Sequence, residues 1–298
     1  MKDNSSTIVE NGKDATIAAI PCYVPCGLEL NRIYNENNLD TMKRMPDNFV
    51  DLTVTSPPYD NLRDYKGYSF PFEDIAKELY RVTKQGGVVV WVVGDATING
   101  SESGTSFKQA LFFKEIGFNL HDTMIYRKEN YAPLTHKRYE QEFEYMFVFS
   151  KGKPTTFNPI LVDCIHAGKV IKRSRSTYEV GIRQREESDK QAKPTGYKKQ
   201  MGNVWSYKVG GGKSANHVAQ FPLQLATDHI KTWSNENDLV YDCFMGSGTT
   251  AIASINTNRN YIGSEISEDY CKIIETRIKE CGGLFSNSFQ TELSNEAE

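Results

Sequence analysis

Six consecutive apolar residues, Val88-Val89-Val90-Trp91-Val92-Val93, constrain the fold more than any other stretch of the chain. A strand with one face in water alternates apolar and polar side chains, whereas a strand apolar on both faces must be covered on both. The run therefore predicts a central sheet between two layers of helices. A covering helix precedes it. Phe72, Ile75, Leu79 and Val82 form one apolar stripe of an amphipathic helix over 72–82, closed by a Gln85-Gly86-Gly87 stop.

The same alternation recurs along the chain. A short helix is expected from Leu39 to Met45, ended by Pro46-Asp47-Asn48, followed by a β-branched strand over Val50–Thr55. Ser106–Ile116 reads as a helix ended by Gly117, and Tyr145–Phe149 as a buried strand. Further on come a helix at Pro222–Trp233, a strand at Leu239–Cys243, a helix from Gly248 and a short strand at Tyr261–Glu265. Such alternation predicts an α/β fold with a mostly parallel sheet, and 298 residues suffice for one domain with a smaller insert. The insert shows in composition: Lys169 to Lys213 holds twelve Lys/Arg against four Asp/Glu, with few aliphatic residues.

The formal net charge of -3 argues against a uniformly basic surface but leaves room for a local one, since screening confines attraction to about 8–10 Å. The six cysteines are scattered, and Cys22 and Cys26 lack a second pair at ligand spacing, so neither a disulfide framework nor a metal site is expected. No apolar run is long enough for a membrane span, and the first twenty residues lack the basic and apolar regions of a secretory signal. A cytoplasmic location is the expectation.

Two motifs carry chemistry. In the first, Asp242-Cys243-Phe244-Met245-Gly246-Ser247-Gly248-Thr249-Thr250 follows a strand and opens a helix. Its glycines allow close backbone approach, and a helix N-terminus offers N–H groups to an anion. Glu265 ends the next strand, where a carboxylate can accept ribose hydroxyls. The turn lacks the Gly-Lys-Ser/Thr ending of a nucleotide-hydrolase loop, and taken alone it reads more readily as a plain tight turn, the pairing with Glu265 being what points to a cofactor.

The second motif is Thr55-Ser56-Pro57-Pro58-Tyr59 at the end of its strand. Two prolines remove N–H donors and leave a rigid edge rich in acceptors. Ser56 Oγ and the Pro57 carbonyl could accept both hydrogens of an amino group while Tyr59 stacks on the attached ring. The plainer reading is a proline-rich turn beside a buried tyrosine. Asp60 to Tyr65 would continue this edge as a loop, with solvated surface the alternative.

Together, Val54-Thr55-Ser56-Pro57-Pro58-Tyr59 and Phe244-Met245-Gly246-Ser247-Gly248-Thr249-Thr250 resemble the amino-methyltransferases of DNA, the N4-cytosine/N6-adenine family. The order, catalytic motif first and cofactor loop last, is similar to the permuted β group of that family. Ile33-Tyr34-Asn35, Pro46 to Leu52, Glu142 to Gly152, Asn203-Val204-Trp205 and His217 to Pro222 match its flanking segments.

The resemblance implies a Rossmann-like methyltransferase fold using S-adenosylmethionine. Its parts would be an N-terminal arm (1–27), a catalytic part (28–160), a target-recognition insert (161–203), a cofactor-binding part (204–285) and a flexible tail (286–298). Ser56, Pro57, Pro58 and Tyr59 would hold the target base. Asp242, Phe244, Gly246, Ser247, Gly248, Thr249 and Thr55 would shape the cofactor pocket, Glu265 would bind its ribose, and Gln220, Phe221 and Pro222 would close it. Double-stranded DNA is the implied partner. Lys172, Arg173, Arg175, Arg183 and Arg185 are the candidate contacts, though each is equally readable as a solvated charge. A cognate restriction endonuclease and a homodimer are further family associations. Three positions depart from the family pattern: Asn37 in place of an acid, and Cys243 and Val218 in place of proline. The first weakens any ribose or adenine contact that the resemblance would assign there, and neither of the other two removes a group the chemistry needs.

A target base inside a duplex is out of reach, so flipping is expected. In the family, Ser at position 56 after Thr55 is commoner among N4-cytosine enzymes, and Asp or Asn among N6-adenine enzymes, which favours cytosine. Cytosine-5 chemistry would need a Pro-Cys nucleophile. Pro21-Cys22 and Pro25-Cys26 offer only that dipeptide, in an irregular arm. An RNA or protein-amide methyltransferase would place the cofactor loop before the Pro-Pro-Tyr edge, and a non-catalytic DNA-binding module would need neither motif intact.

Overall fold

The structure, a computed structural model, describes residues 27–58, 70–131, 137–165, 167–168, 175–179, 182–186, 196–209 and 222–295. In chain order the elements begin with β1 (Arg32–Tyr34), α1 (Asn38–Arg44), β2 (Val50–Thr55), α2 (Phe72–Val82) and β3 (Thr83–Val93). A small hairpin of β4 (Thr97–Ile98) and β5 (Ser101–Glu102) leads to α3 (Thr105–Glu115), β6 (Asn119–Lys128) and β7 (Phe143–Ser150). Next come β8 (Leu161–Asp163), β9 (Arg175–Glu179), β10 (Ile182–Glu186) and β11 (Lys198–Gln200), which pair as β8 with β11 and β9 with β10 outside the main sheet. The chain then runs through β12 (Val204–Tyr207), α4 (Leu223–Trp233), β13 (Leu239–Asp242), α5 (Thr249–Ile255), β14 (Asn260–Ser264) and α6 (Glu268–Asn295).

Eight strands form one sheet in the order β1-β14-β13-β2-β3-β7-β6-β12. Every neighbouring pair is parallel except the two that involve β7, which runs against both β3 and β6. The Val88–Val93 run behaves as its composition demands. Val89, Trp91 and Val93 pack with Ile75, Leu79 and Val82 of α2 and Phe113 of α3. Val88, Val90 and Val92 pack with Leu225, Ala226, Ile230 and Trp233 of α4. All six side chains of the run are buried.

Local chemistry accounts for the helix ends. Asn37 opens α1, its side chain accepting the Leu39 N–H at 2.9 Å, so the residue standing where the family often has an acid is a helix cap here. Arg81, in the last turn of α2, donates to the Met42 and Met45 carbonyls at 2.7 and 2.8 Å, adding donors at the end of α1, where the Met42 carbonyl also accepts the Met45 N–H at 2.9 Å. The guanidinium also pairs with Glu78 and Asp47.

Two sequence expectations change. Gln85-Gly86-Gly87 does not stop α2, which ends at Val82 as β3 begins at Thr83. The glycines instead form a bulge: Val50 pairs with Thr83 and Leu52 with Val88, so the residues between are looped out of register. Gly86 adopts φ +81, and a Cβ on Gly87 would sit 2.9 Å from the Asp51 and Lys84 carbonyls, so the turn needs both glycines. The segment read as a flexible tail from 286 is instead helical through Asn295 as part of α6. Phe285, Phe289 and Leu293 recur four apart there, a helical period that the expectation of a tail passed over.

In the layer between sheet and α4, His229 is buried between Trp205, whose ring lies 4.6 Å away, and Met146 Sδ at 3.2 Å from Nε2. Burial pushes this imidazole down to about 3, so it is a neutral core side chain. Among the described residues no helix is long and apolar enough to cross a membrane.

Candidate active site

β2 leads through α2 to β3 on one side of it, and β13 leads through α5 to β14 on the other. β2 and β13 are themselves parallel neighbours, with Thr53 opposite Tyr241. Their carboxyl ends therefore frame the point where the strand order diverges, the crevice in which open α/β sheets bind ligands. Both motifs singled out in the sequence emerge there. Thr55 ends β2, with half-buried Ser56, buried Pro57 and half-buried Pro58 following, and Asp242 ends β13 and starts the glycine loop.

The two ends are joined directly. Thr55 Oγ1 donates to Asp242 Oδ1 at 2.6 Å, Thr250 Oγ1 donates to Oδ2 at 2.7 Å, and the Phe244 N–H donates to Oδ1 at 3.0 Å. Asp242 is only 1% exposed. Its burial raises the carboxyl above the usual range, and the three donors pull it back. Cys243, where the family has proline, is buried with its thiol 3.7 Å from Thr55 Oγ1. Desolvation holds that thiol well above its ordinary range, so it is an inert packing group.

Beyond Asp242 the loop is shaped by backbone. Gly246 and Gly248 adopt φ +54 and +85, and Gly248 opens α5 in the left-handed region. A Cβ at Gly248 would lie 2.8 Å from Ile274 Cγ2 of α6, so a side chain is excluded by conformation and by space. Arg277, also on α6, donates to the Ser247 carbonyl and to Ser247 Oγ, the latter at 3.1 Å. Phe244 packs edge-on against Phe70, with centroids 5.6 Å apart, and against Trp91 at 6.3 Å.

Glu265 follows β14 and closes the loop from the other side. Oε2 accepts the Gly246 N–H at 2.7 Å and Oε1 accepts the Ser267 N–H at 2.9 Å. Burial, with the nearby Asp242 charge adding to it, raises this carboxyl, while the N–H groups of Ser267, Gly246 and Ile266 lower it. Each oxygen keeps a lone pair, so the group can still accept ribose hydroxyls while bracing the loop. A loop free of Cβ atoms at its two sharpest points, beside a buried acceptor, suits the methionine and ribose parts of S-adenosylmethionine.

The structure thus brings Thr55, Ser56, Pro57, Pro58, Asp242, Phe244, Gly246, Ser247, Gly248, Thr249 and Glu265 to one edge of the sheet, and Pro222 caps the start of α4. Tyr59, Asp60 to Tyr65, Gln220, Phe221, Lys172 and Arg173 lie outside the described residues. Arg175, Arg183 and Arg185 fall on the hairpin of β9 and β10, where Arg183 pairs with Tyr178 and Arg185 with Ser176. Two residues of the site escaped the sequence reading, Arg277 and Asn38, whose buried side chain donates to the Cys243 carbonyl at 3.1 Å, while Thr250 closed the glycine motif but was given no role of its own. Nothing in the sequence set Thr250 apart from Thr249 and Ser254 on the same helix. For Asn38 and Arg277, far from the loop in sequence, there was no signal.

A Rossmann-like sheet with a glycine loop and an acidic strand end at its switch point defines a nucleotide-cofactor fold, and comparison with known proteins specifies the class. The N6_N4_Mtase family model, described as DNA methylase, matches residues 50–276. The orphan methyltransferase M.BamHII of Bacillus amyloliquefaciens is 53% identical over 239 residues, covering 77% of this chain and 89% of that relative. The type II methyltransferase M.BglII of Bacillus subtilis is 27% identical over 271 residues, covering 85% and 71%. In fold, the chain is similar to the cytosine-N4-specific PvuII DNA methyltransferase, with a TM-score of 0.61 at 19% identity over 82% of this chain and 85% of that one. It is likewise similar to M1.HpyAVI in its complex with S-adenosylmethionine, with a TM-score of 0.55 at 23% identity over 83% and 98%. The chain belongs to the N4/N6 family of S-adenosylmethionine-dependent DNA amino-methyltransferases.

Proposed function

We propose that the chain methylates N4 of cytosine at specific sites in double-stranded DNA, acting on a base flipped into the crevice between the ends of β2 and β13. The observation that carries this reading is the 2.6 Å hydrogen bond between Thr55 and Asp242. It puts an acceptor-rich edge and a cofactor-type loop side by side at the switch point.

An aromatic amine is a weak nucleophile because its lone pair is delocalised into the ring. On this reading, Ser56 Oγ and the Pro57 carbonyl accept the two N–H bonds and favour a pyramidal nitrogen whose lone pair is directed out of the ring plane. Tyr59 stacks on the base, and the missing N–H groups at Pro57 and Pro58 keep the edge purely accepting. S-adenosylmethionine supplies an electrophilic methyl on a sulfonium. The methyl would pass from sulfur to nitrogen, with S-adenosylhomocysteine as the leaving group and the amino proton passing to solvent water. Glu265 holds the ribose, and Asp242, Phe244, Gly246, Ser247, Gly248 and Thr249 shape the rest of the pocket, with Gln220, Phe221 and Pro222 against its open side. The work of the protein is orientation and polarisation. Lys172, Arg173, Arg175, Arg183 and Arg185 of the insert contact DNA. The choice of cytosine rests on the hydroxyl of Ser56 where N6-adenine enzymes more often carry Asp or Asn. The expected cytoplasmic location, and the family associations with a homodimer and a restriction endonuclease, carry over as part of this proposal.

The test is mass spectrometry of nucleosides from unmethylated DNA incubated with the protein and S-adenosylmethionine. N4-methylcytosine is the expected product. N6-methyladenine would overturn the choice of base and keep the class, and 5-methylcytosine would overturn the mechanism.

A further inference from the structure

We propose that Thr250 is a positioning residue for methyl transfer, its hydroxyl acting through Asp242 to hold the base-binding edge and the cofactor loop in register. This rests on the reading of Ser56–Tyr59 and of the Phe244–Gly248 loop given above.

Asp242 is almost wholly shielded from water, so protein donors must satisfy its carboxylate, and the three described above come from three segments. Thr55 belongs to the strand end directly before Ser56. Phe244 opens the cofactor loop. Thr250 lies in the first turn of α5, just past Gly248. Thr250 itself is fully buried, so it touches neither base nor cofactor, and its Oγ1 also lies 3.3 Å from the Val54 carbonyl of β2. One hydroxyl thus spans the end of β2, the end of β13 and the start of α5.

The consequence for catalysis is geometric. Transfer requires donor and acceptor atoms in line at about 3–3.5 Å, and small misplacements cost large factors in rate. The edge and the loop are independent backbone segments 187 residues apart, joined at Asp242. Removing one donor leaves a buried carboxylate oxygen short of a partner, a situation relieved by taking up a proton or by moving the loop. Either response uncouples the two halves of the site.

Thr250→Val keeps the shape of the side chain and removes the donor, and Thr250→Ser keeps the donor. The measurements are steady-state kinetics with unmethylated DNA at varied S-adenosylmethionine, calorimetric cofactor affinity without DNA, and thermal melting. Working well below the melting temperature, Thr250→Val should raise the cofactor Kd and KM about tenfold and lower kcat about tenfold, with Thr250→Ser within about twofold of the parent. A merely structural role would lower the melting temperature and leave KM and kcat in place. Parental kinetics in Thr250→Val would overturn the proposal, as would a Thr250→Ser variant as impaired as Thr250→Val. Should Thr250→Val fail to fold, Thr55→Val removes the other hydroxyl from the same carboxylate. It must then show the same paired loss, with recovery in Thr55→Ser, and parental kinetics there overturn the proposal. Failure of the underlying reading is told apart because it shows as full activity in Pro57→Ala, whereas the Thr250 variants report on cofactor affinity without DNA.

Discussion

Replacing Tyr59 or Pro57 by alanine is expected to abolish methyl transfer while leaving DNA affinity within a few-fold of the parent. Losing the stacking ring costs about 1–3 kcal/mol in holding an extruded base, and it costs more once the nitrogen must also line up with the methyl donor. Alanine at position 57 restores an N–H donor and frees φ beside a carbonyl that has to accept. Donors aimed at reacting atoms are worth about 100- to 1000-fold in rate elsewhere, and a comparable drop in kcat is expected from removing a fixed acceptor. Methyl incorporation measures the first quantity and fluorescence anisotropy with labelled DNA the second. A parallel loss of DNA binding would assign these residues to the scaffold, and unchanged turnover would remove them from the site.

Glu265 should show the second large effect, on the cofactor. Its carboxylate accepts the Gly246 N–H at 2.7 Å and the Ser267 N–H at 2.9 Å from a largely buried position. Glu265→Ala removes the brace of the loop and the ribose acceptor together. Hydrogen bonds to a charged group contribute about 1.5–3 kcal/mol each, so the Kd for S-adenosylmethionine should rise about 100-fold. Glu265→Gln keeps the shape but turns an amide toward one N–H donor, and about a tenfold loss is expected. At saturating cofactor kcat should largely recover in the glutamine variant, because the contact is the same in ground and transition states. Titration calorimetry reads the affinities directly, and parental affinity in Glu265→Ala would place the ribose elsewhere.

The parts of this fold that were legible in sequence are those whose pattern is local. The apolar run Val88–Val93 demanded two covered faces, and the stripe of Phe72, Ile75, Leu79 and Val82 matches the limits of α2. The Val50–Thr55 strand and the loop after Leu239–Asp242 were equally plain. What escaped depends on pairing across the chain. β6 buries only Met124 and Tyr126, and polar residues such as His121, Asp122 and Arg127 fall on both of its faces, so its periodicity is masked. β1 and β12 have only three and four residues, too few to show a period. Gly86 and Gly87 carry the signature of a helix stop and serve as a bulge, because what decides their role is the Asp51 backbone across the sheet.

In the site the same division holds. The glycine turn, Glu265 and the Ser-Pro-Pro edge became legible only in combination, through the family resemblance they carry, since each alone reads as an ordinary turn or strand end. The three donors on Asp242 come from both ends of the chain, and which of several threonines would reach it is set only by the packing of β2, β13 and α5. Sequence reading therefore assigned Asp242 and Thr55 to the cofactor pocket, and the structure adds that their side chains are engaged with each other beneath it.

The central claim is that S-adenosylmethionine lies in the crevice between β2 and β13 with its methyl facing Ser56 and Pro57. A crystal structure of the protein with S-adenosylhomocysteine tests this most directly. The account predicts the ribose hydroxyls on Glu265, the amino-acid end against the Phe244–Gly248 loop and the sulfur directed at the end of β2. A ligand bound away from Glu265, or one whose sulfur points away from Ser56 and Pro57, would contradict it.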